Sequence, residues 1–95
     1  MYASVRKYKS SSPKEVIKRV NAEFVPMISK APGFVSYHVV EGANNVLVSV
    51  SVFETQAGAE ESNRMAADWV KKSLSQFMEG PPEITAGTVA AYKTR

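Results

Sequence analysis

The sequence predicts an α+β domain in which two helices cover one face of a four-stranded antiparallel sheet. Three observations predict it. Apolar residues alternate with a period of two in four stretches, and they recur at helical spacing in two others. The six stretches follow the order strand, helix, strand, strand, helix, strand, and together they fill residues 1–95 as a single domain.

Tyr2 to Lys9 alternates as a strand, with Ala3, Val5 and Lys7 on one side and Tyr2, Ser4, Arg6 and Tyr8 on the other. Three serines break this pattern. Ser12-Pro13-Lys14-Glu15 then reads as a helix start: Ser12 caps, Pro13 sits where no N–H is needed and Glu15 reaches back. Val16, Ile17, Val20, Phe24, Met27 and Ile28 give the apolar stripe of this helix, which Pro26 kinks or ends. Phe34 to Glu41 and Val46 to Phe53 are rich in β-branched and aromatic residues and flank Gly42-Ala43-Asn44-Asn45, a hairpin. Thr55 caps a second helix running from about Ala57 to Phe77, where Gly80-Pro81-Pro82 stops it. Glu83 to Tyr92 is the last strand. Right-handed crossovers between such elements give a ferredoxin-like βαββαβ sandwich with sheet order 4-1-3-2.

A two- or four-residue hairpin loop pairs Glu41 with Val46, and opposed residues share a face. One face then carries Val35, Tyr37 and Val39 with Val46, Val48, Val50 and Val52. The other carries Phe34, Ser36, His38 and Val40 with Leu47, Ser49, Ser51 and Phe53. A three-residue loop would break this sorting. Both faces are too apolar for water, yet the helices of one chain cover only one, so a homodimer packed sheet to sheet is expected. The valine face suits that contact. The Phe/Ser/His face then lies under the helices, where small serines beside aromatics leave room for a pocket. The converse assignment, with valines as the core, is the alternative.

Composition narrows the chemistry. There is no cysteine, which excludes disulfides, thiolate metal sites and a cysteine nucleophile. A single histidine excludes any site needing two from one chain, and no metal or cofactor is expected. The net charge of +3 is compatible with an anionic ligand, but the basic residues are scattered, so nucleic acid is not expected as a partner. The βαββαβ order also occurs in RNA-recognition domains. Those need a basic-Gly-aromatic pattern on the third strand, which Val46 to Phe53 lacks. No stretch spans a membrane and Met1 to Lys7 is no signal sequence, so a cytoplasmic protein is expected.

Few residues carry candidate chemistry. His38 is a general base candidate, set against a strand histidine bonded to Ser49 or Ser51. Arg6, mid-strand between Tyr2 and Tyr8, is placed to clamp an anionic oxygen; the alternative is an ion pair across a dimer contact. Trp69 stacks on an aromatic ligand or fills the core. Asn63, with Phe34, Phe53, Ser36, Ser49 and Ser51, completes the expected ligand-binding set.

Ala31-Pro32-Gly33-Phe34-Val35-Ser36-Tyr37, followed by Val50-Ser51-Val52-Phe53-Glu54 and an Ala/Glu-rich helix, resembles the dimeric α+β barrel superfamily. The antibiotic biosynthesis monooxygenase-like proteins belong to it. The resemblance implies a ferredoxin-like protomer and a dimer whose two sheets form a barrel. Members include cofactor-independent monooxygenases of polycyclic phenols, haem-degrading enzymes and lactone isomerases. Quinone-forming members resemble each other in an Asn, Trp and Tyr set on and near the second helix with an Arg nearby. This chain offers Asn63 and Trp69, six residues and about 240° apart, which places them on different faces. No Tyr follows Trp69 until Tyr92. The expected function is binding of a small aromatic or quinone-like molecule by a cofactor-independent monooxygenase or isomerase. The alternative is a non-catalytic dimeric ligand-binding or interaction module.

Overall fold

The computed structural model describes residues 1–95. Strands β1 (Tyr2–Lys9), β2 (Phe34–Glu41), β3 (Val46–Phe53) and β4 (Glu83–Thr88) form one sheet of order β2-β3-β1-β4, the expected order read from its other edge. Every neighbouring pair is antiparallel. β4 ends at Thr88, short of the expected Tyr92, because β1 offers no partner beyond its own start; Val89 makes the last bond, its N–H donating to the Met1 carbonyl at 3.0 Å. No helix is long and apolar enough to cross a membrane.

The first helical segment is built differently from its sequence signature. Helix α1 (Pro13–Arg19) begins at Pro13, but Ser12 makes no capping bond, since its φ/ψ of −140°/66° are off the extended geometry an N-cap serine needs. Ser10 organises this corner instead. Its Oγ accepts from the Ser12 N–H at 3.0 Å and donates to the Phe77 carbonyl at 2.7 Å. Past α1 the chain widens into a π-helical turn (Val20–Phe24) before helix α2 (Val25–Ile28). Pro26 explains this: it lacks an N–H and its ring would strike the carbonyl four residues back, and a wider turn relieves both. Val16, Val20, Phe24 and Ile28, every fourth residue, are all buried. Steps of four drift about 40° each round an α-helix, and the π turn takes up that drift.

Helix α3 (Gln56–Ser73) starts as expected, with Thr55 Oγ1 accepting from the Gly58 N–H at 3.1 Å. Gly58 fits closely there: a Cβ would lie 3.1 Å from the Phe53 ring and 3.2 Å from the Pro32 carbonyl, so a larger residue has to displace one of them by a few tenths of an ångström. The helix ends at Ser73 rather than Phe77. Leu74 leaves helical geometry to bury its side chain, and Ser75–Phe77 form a 3₁₀ turn.

The hairpin corrects the expected sorting of the sheet. Asn44 and Asn45 both adopt positive φ, 59° and 64°. The Gly42 N–H donates to the Val46 carbonyl at 2.8 Å, which leaves three residues in the loop. The register is therefore Tyr37 opposite Ser51, Val39 opposite Ser49 and Glu41 opposite Leu47, and a bulge at Val35 brings Phe34 back opposite Phe53. A one-residue change flips β2 relative to β3. Tyr37 and Val39 thus join Leu47, Ser49, Ser51 and Phe53 under the helices. Ser36, His38 and Val40 move to the outer face beside Val52, Val50 and Val48.

Candidate functional site

The inner sheet face is a lattice of rows, and its centre is polar. Across β4, β1, β3 and β2 one row reads Ala86, Ser4, Ser51, Tyr37, and the next reads Ile84, Arg6, Ser49, Val39. Apolar rows flank them, with Tyr2, Phe53 and Phe34 on one side and Tyr8 and Leu47 on the other. Three small serines at the centre leave space below α3, and Arg6 extends into it.

Arg6 is only 5% exposed. Its Nη1 donates to the Asn63 backbone carbonyl at 3.2 Å, while its Nε is buried with no hydrogen-bond partner. The chain forms two ion pairs, Lys14–Glu41 and Arg64–Glu61, and neither involves Arg6. A buried guanidinium without a counter-ion costs several kcal/mol on the order-of-magnitude scale of ion desolvation. Its neighbours are phenols. The guanidinium carbon lies 5.8 Å from the Tyr8 ring centroid. Burial pushes the Tyr8 phenol up from its ordinary pKa, and Arg6 offsets part of that rise. Burial, reinforced by Tyr8, raises the Tyr37 phenol far more strongly, against the pull of Arg6 and Ser49. Both tyrosines are therefore neutral hydrogen-bond donors at neutral pH, and neither is a base.

Two hollows meet at Arg6. The inner one, about 40 Å³, lies between sheet and helices and is lined mostly by apolar side chains, including Val20 and Phe24 of the π turn. It has room for about one water-sized molecule, whose share of liquid volume is ≈ 30 Å³. The outer one is a groove of about 410 Å³ between the C-terminal half of α3 and β4, walled by Pro81 and Pro82. That volume is in the range of ligand pockets. Arg6, Tyr8, Val70 and Met78 line both hollows and so form the partition. Met78 is held there by backbone bonding of its flanks to β1: it bridges Ser10, and the Glu79 N–H donates to the Lys9 carbonyl at 2.8 Å. Neither hollow is lined by a carboxylate or an imidazole.

The residues singled out in the sequence divide accordingly. Arg6, Asn63, Trp69, Ser49 and Ser51 all line the inner cavity. Asn63 and Trp69 do share it, contrary to the helical-wheel expectation. Their 240° separation is 120° the other way round, and Ser62 and Ala66 fill the buried arc between them. Asn63 is fixed by Ser4, whose Oγ donates to Asn63 Oδ1 at 2.7 Å. Trp69 packs on Phe24 at 5.1 Å between centroids, and its indole N–H donates to Glu23 at 3.3 Å. Phe34 and Phe53 pack edge to face on each other at 5.8 Å beneath the start of α3 and line neither hollow. Ser36 and His38 face away from it on the outer side of the sheet, opposite Val52 and Val50. Sequence reasoning missed Tyr8 and Tyr37 as site residues. Tyr8 had a signal, since it shares its strand face with Arg6 two residues away. Tyr37 had none without the correct register.

No family model and no curated protein matches this chain. Solved structures do. A protein of unknown function from Nitrosomonas europaea superposes with a TM-score of 0.81 at 14% identity, over 99% of this chain and 93% of that one. A monooxygenase from Streptomyces coelicolor in complex with the ligand nanaomycin D gives 0.78 at 14% identity, over 99% and 91%. The cofactor-independent oxygenase SnoaB from Streptomyces nogalater gives 0.75 at 16% identity, over 96% and 94%. The chain thus has the ferredoxin-like α+β fold of the antibiotic biosynthesis monooxygenase-like proteins, as its sequence resemblance implies.

Proposed function

We propose that this protein binds a small aromatic or quinone-like molecule through an ionised phenolic or enolic oxygen held by Arg6, and that it oxygenates that molecule without a cofactor. The observation that carries this reading is the buried Arg6 side chain, which has an unpartnered Nε and no counter-ion at the junction of two hollows. An anionic ligand oxygen supplies what is missing there, a charge-assisted hydrogen bond in a dry site. The neutral Tyr8 phenol beside it donates to the same oxygen. No base in the site is needed if the ligand's own acidity, enhanced by the guanidinium, delivers the anion. That anion is the electron-rich form that reacts with dioxygen. In converting a ring CH₂ to a carbonyl, one oxygen atom stays on carbon, the other leaves as water, and the substrate supplies all the electrons. The monooxygenase and the cofactor-independent oxygenase among the structural neighbours support the reaction class.

The absence of a carboxylate or imidazole from both hollows favours a second reading, a binding module without turnover. Oxygen uptake separates the two. With polycyclic phenols the enzyme consumes dioxygen in step with quinone formation; a module binds them with no uptake. In both readings the protein works as a homodimer in the cytoplasm, joined through the outer face, where Val5, Val50 and His38 form one row and Lys7, Val48 and Val40 the next. If Arg6→Met binds phenols as well as the parent does, the proposed site is wrong.

A further inference from the structure

The outer groove has its own charge pattern. Besides Arg6 it is lined by Lys71, in the last turn of α3, and by no acidic residue. Lys71 takes part in neither ion pair and makes no side-chain hydrogen bond to the protein. The adjacent Lys72 meets the same helix terminus but lines neither hollow, so neutralising the helix C-terminus does not distinguish Lys71. Val70, Met78, Pro82 and Ile84 give the same groove an apolar lining beside the two cations. Ile84 stands on the same row as Arg6, and its side chain is more than half exposed along the groove. The inner cavity is too small for an aromatic ring, so the ring system has to lie in the groove.

From this we propose that the ligand is a hydroxyaryl carboxylic acid. Its ring system lies across Val70, Met78, Pro82 and Ile84, its ionised ring oxygen meets Arg6 at the inner end, and its carboxylate meets Lys71 at the outer end. This rests on the Arg6 site proposed above and deepens it by naming a second anionic group on the ligand. A neutral phenol uses half of the site. A hydroxyaryl acid uses both cations and excludes water from between them, and that difference sets the specificity. Inorganic phosphate or sulfate has no ring to cover the four apolar side chains.

The test compares 6-hydroxy-2-naphthoate, whose two oxygen groups stand at opposite ends of the ring system, with 2-naphthol by fluorescence titration on the full chain at neutral pH. The expected result is at least tenfold tighter binding of the acid, a preference that weakens as salt is raised. Lys71→Gln, at an exposed helix position, lowers the affinity for the acid about tenfold, so that acid and naphthol bind alike. Lys18→Gln, on α1 and outside both hollows, keeps the preference. Equal binding of the two probes by the parent, or a preference that survives in Lys71→Gln, overturns the inference while leaving the Arg6 site standing on its naphthol affinity. Failure of both probes to bind overturns the Arg6 site and the inference together.

Discussion

A single residue sets the character of this molecule. Arg6 occupies a position where an apolar side chain would pack well, opposite Ser49 and beneath α3. Replacing a buried charge by an apolar side chain of similar length removes a desolvation cost. Arg6→Met is therefore expected to match or exceed the parent in stability, by up to about 2 kcal/mol, while losing phenol binding; urea denaturation and titration measure the two effects. The tyrosines beside it make a second prediction. A phenol whose folded pKa lies above its ordinary value of 10.0 contributes stability that is whole below that pH and is lost as pH rises beyond it. The melting temperature should fall steeply above about pH 10, and the fall should be shallower in the Tyr8→Phe/Tyr37→Phe double variant. Arg6 was legible in the sequence because it stands mid-strand on the face it shares with Tyr2 and Tyr8. Tyr37 was not, and His38 stands in its place in the expected sorting, because a three-residue loop instead of a two- or four-residue one exchanges the faces of β2.

At the scale of elements, two serine/threonine caps that look equivalent in sequence behave differently. Thr55 Oγ1 accepts from the Gly58 N–H, whereas the Ser12 side chain makes no capping bond and Ser10 takes over the corner. Thr55→Ala is expected to cost about 1 kcal/mol, while Ser12→Ala should change the unfolding midpoint by only a few tenths. Equal losses would mean that Ser12 does cap α1. The order and type of the elements were legible because period-two and helical patterns differ strongly over eight or more residues. Their ends were less so. The π turn before Pro26 depends on how the helix seats Val20 and Phe24 against the sheet, and the early end of α3 on the burial of Leu74; both are tertiary effects that local sequence does not encode. The π turn also reaches the site, since Val20 and Phe24 close one side of the inner cavity.

At the scale of the whole molecule, one sheet face is covered by helices and the other is open. The open face presents Val46, Val48, Val50 and Val52 of the central strand β3 beside Val5 and Val40 of its neighbours, with Lys7 and Lys9 at the β1 end opposite Val48 and Val46. Such an expanse is unusual on a monomer, and the proposed occupant is a second copy of the chain. Val50→Lys, at the centre of the face opposite Val5 and His38, should convert a dimer to a monomer in sedimentation at micromolar concentration; a monomeric parent would contradict the pairing. The proposed site lies on the opposite side of the sheet, where Arg6, Tyr8, Val70 and Met78 of one chain line both hollows. In the proposed site a buried, uncompensated guanidinium binds the ionised form of an aromatic alcohol. The most direct measurement is the pKa of 4-nitrophenol on the protein, read from its visible phenolate band. The bound probe should ionise roughly one unit or more below the free probe, and Arg6→Met should abolish the shift. A bound probe with an unchanged or raised pKa, or a shift that persists in Arg6→Met, would contradict the account.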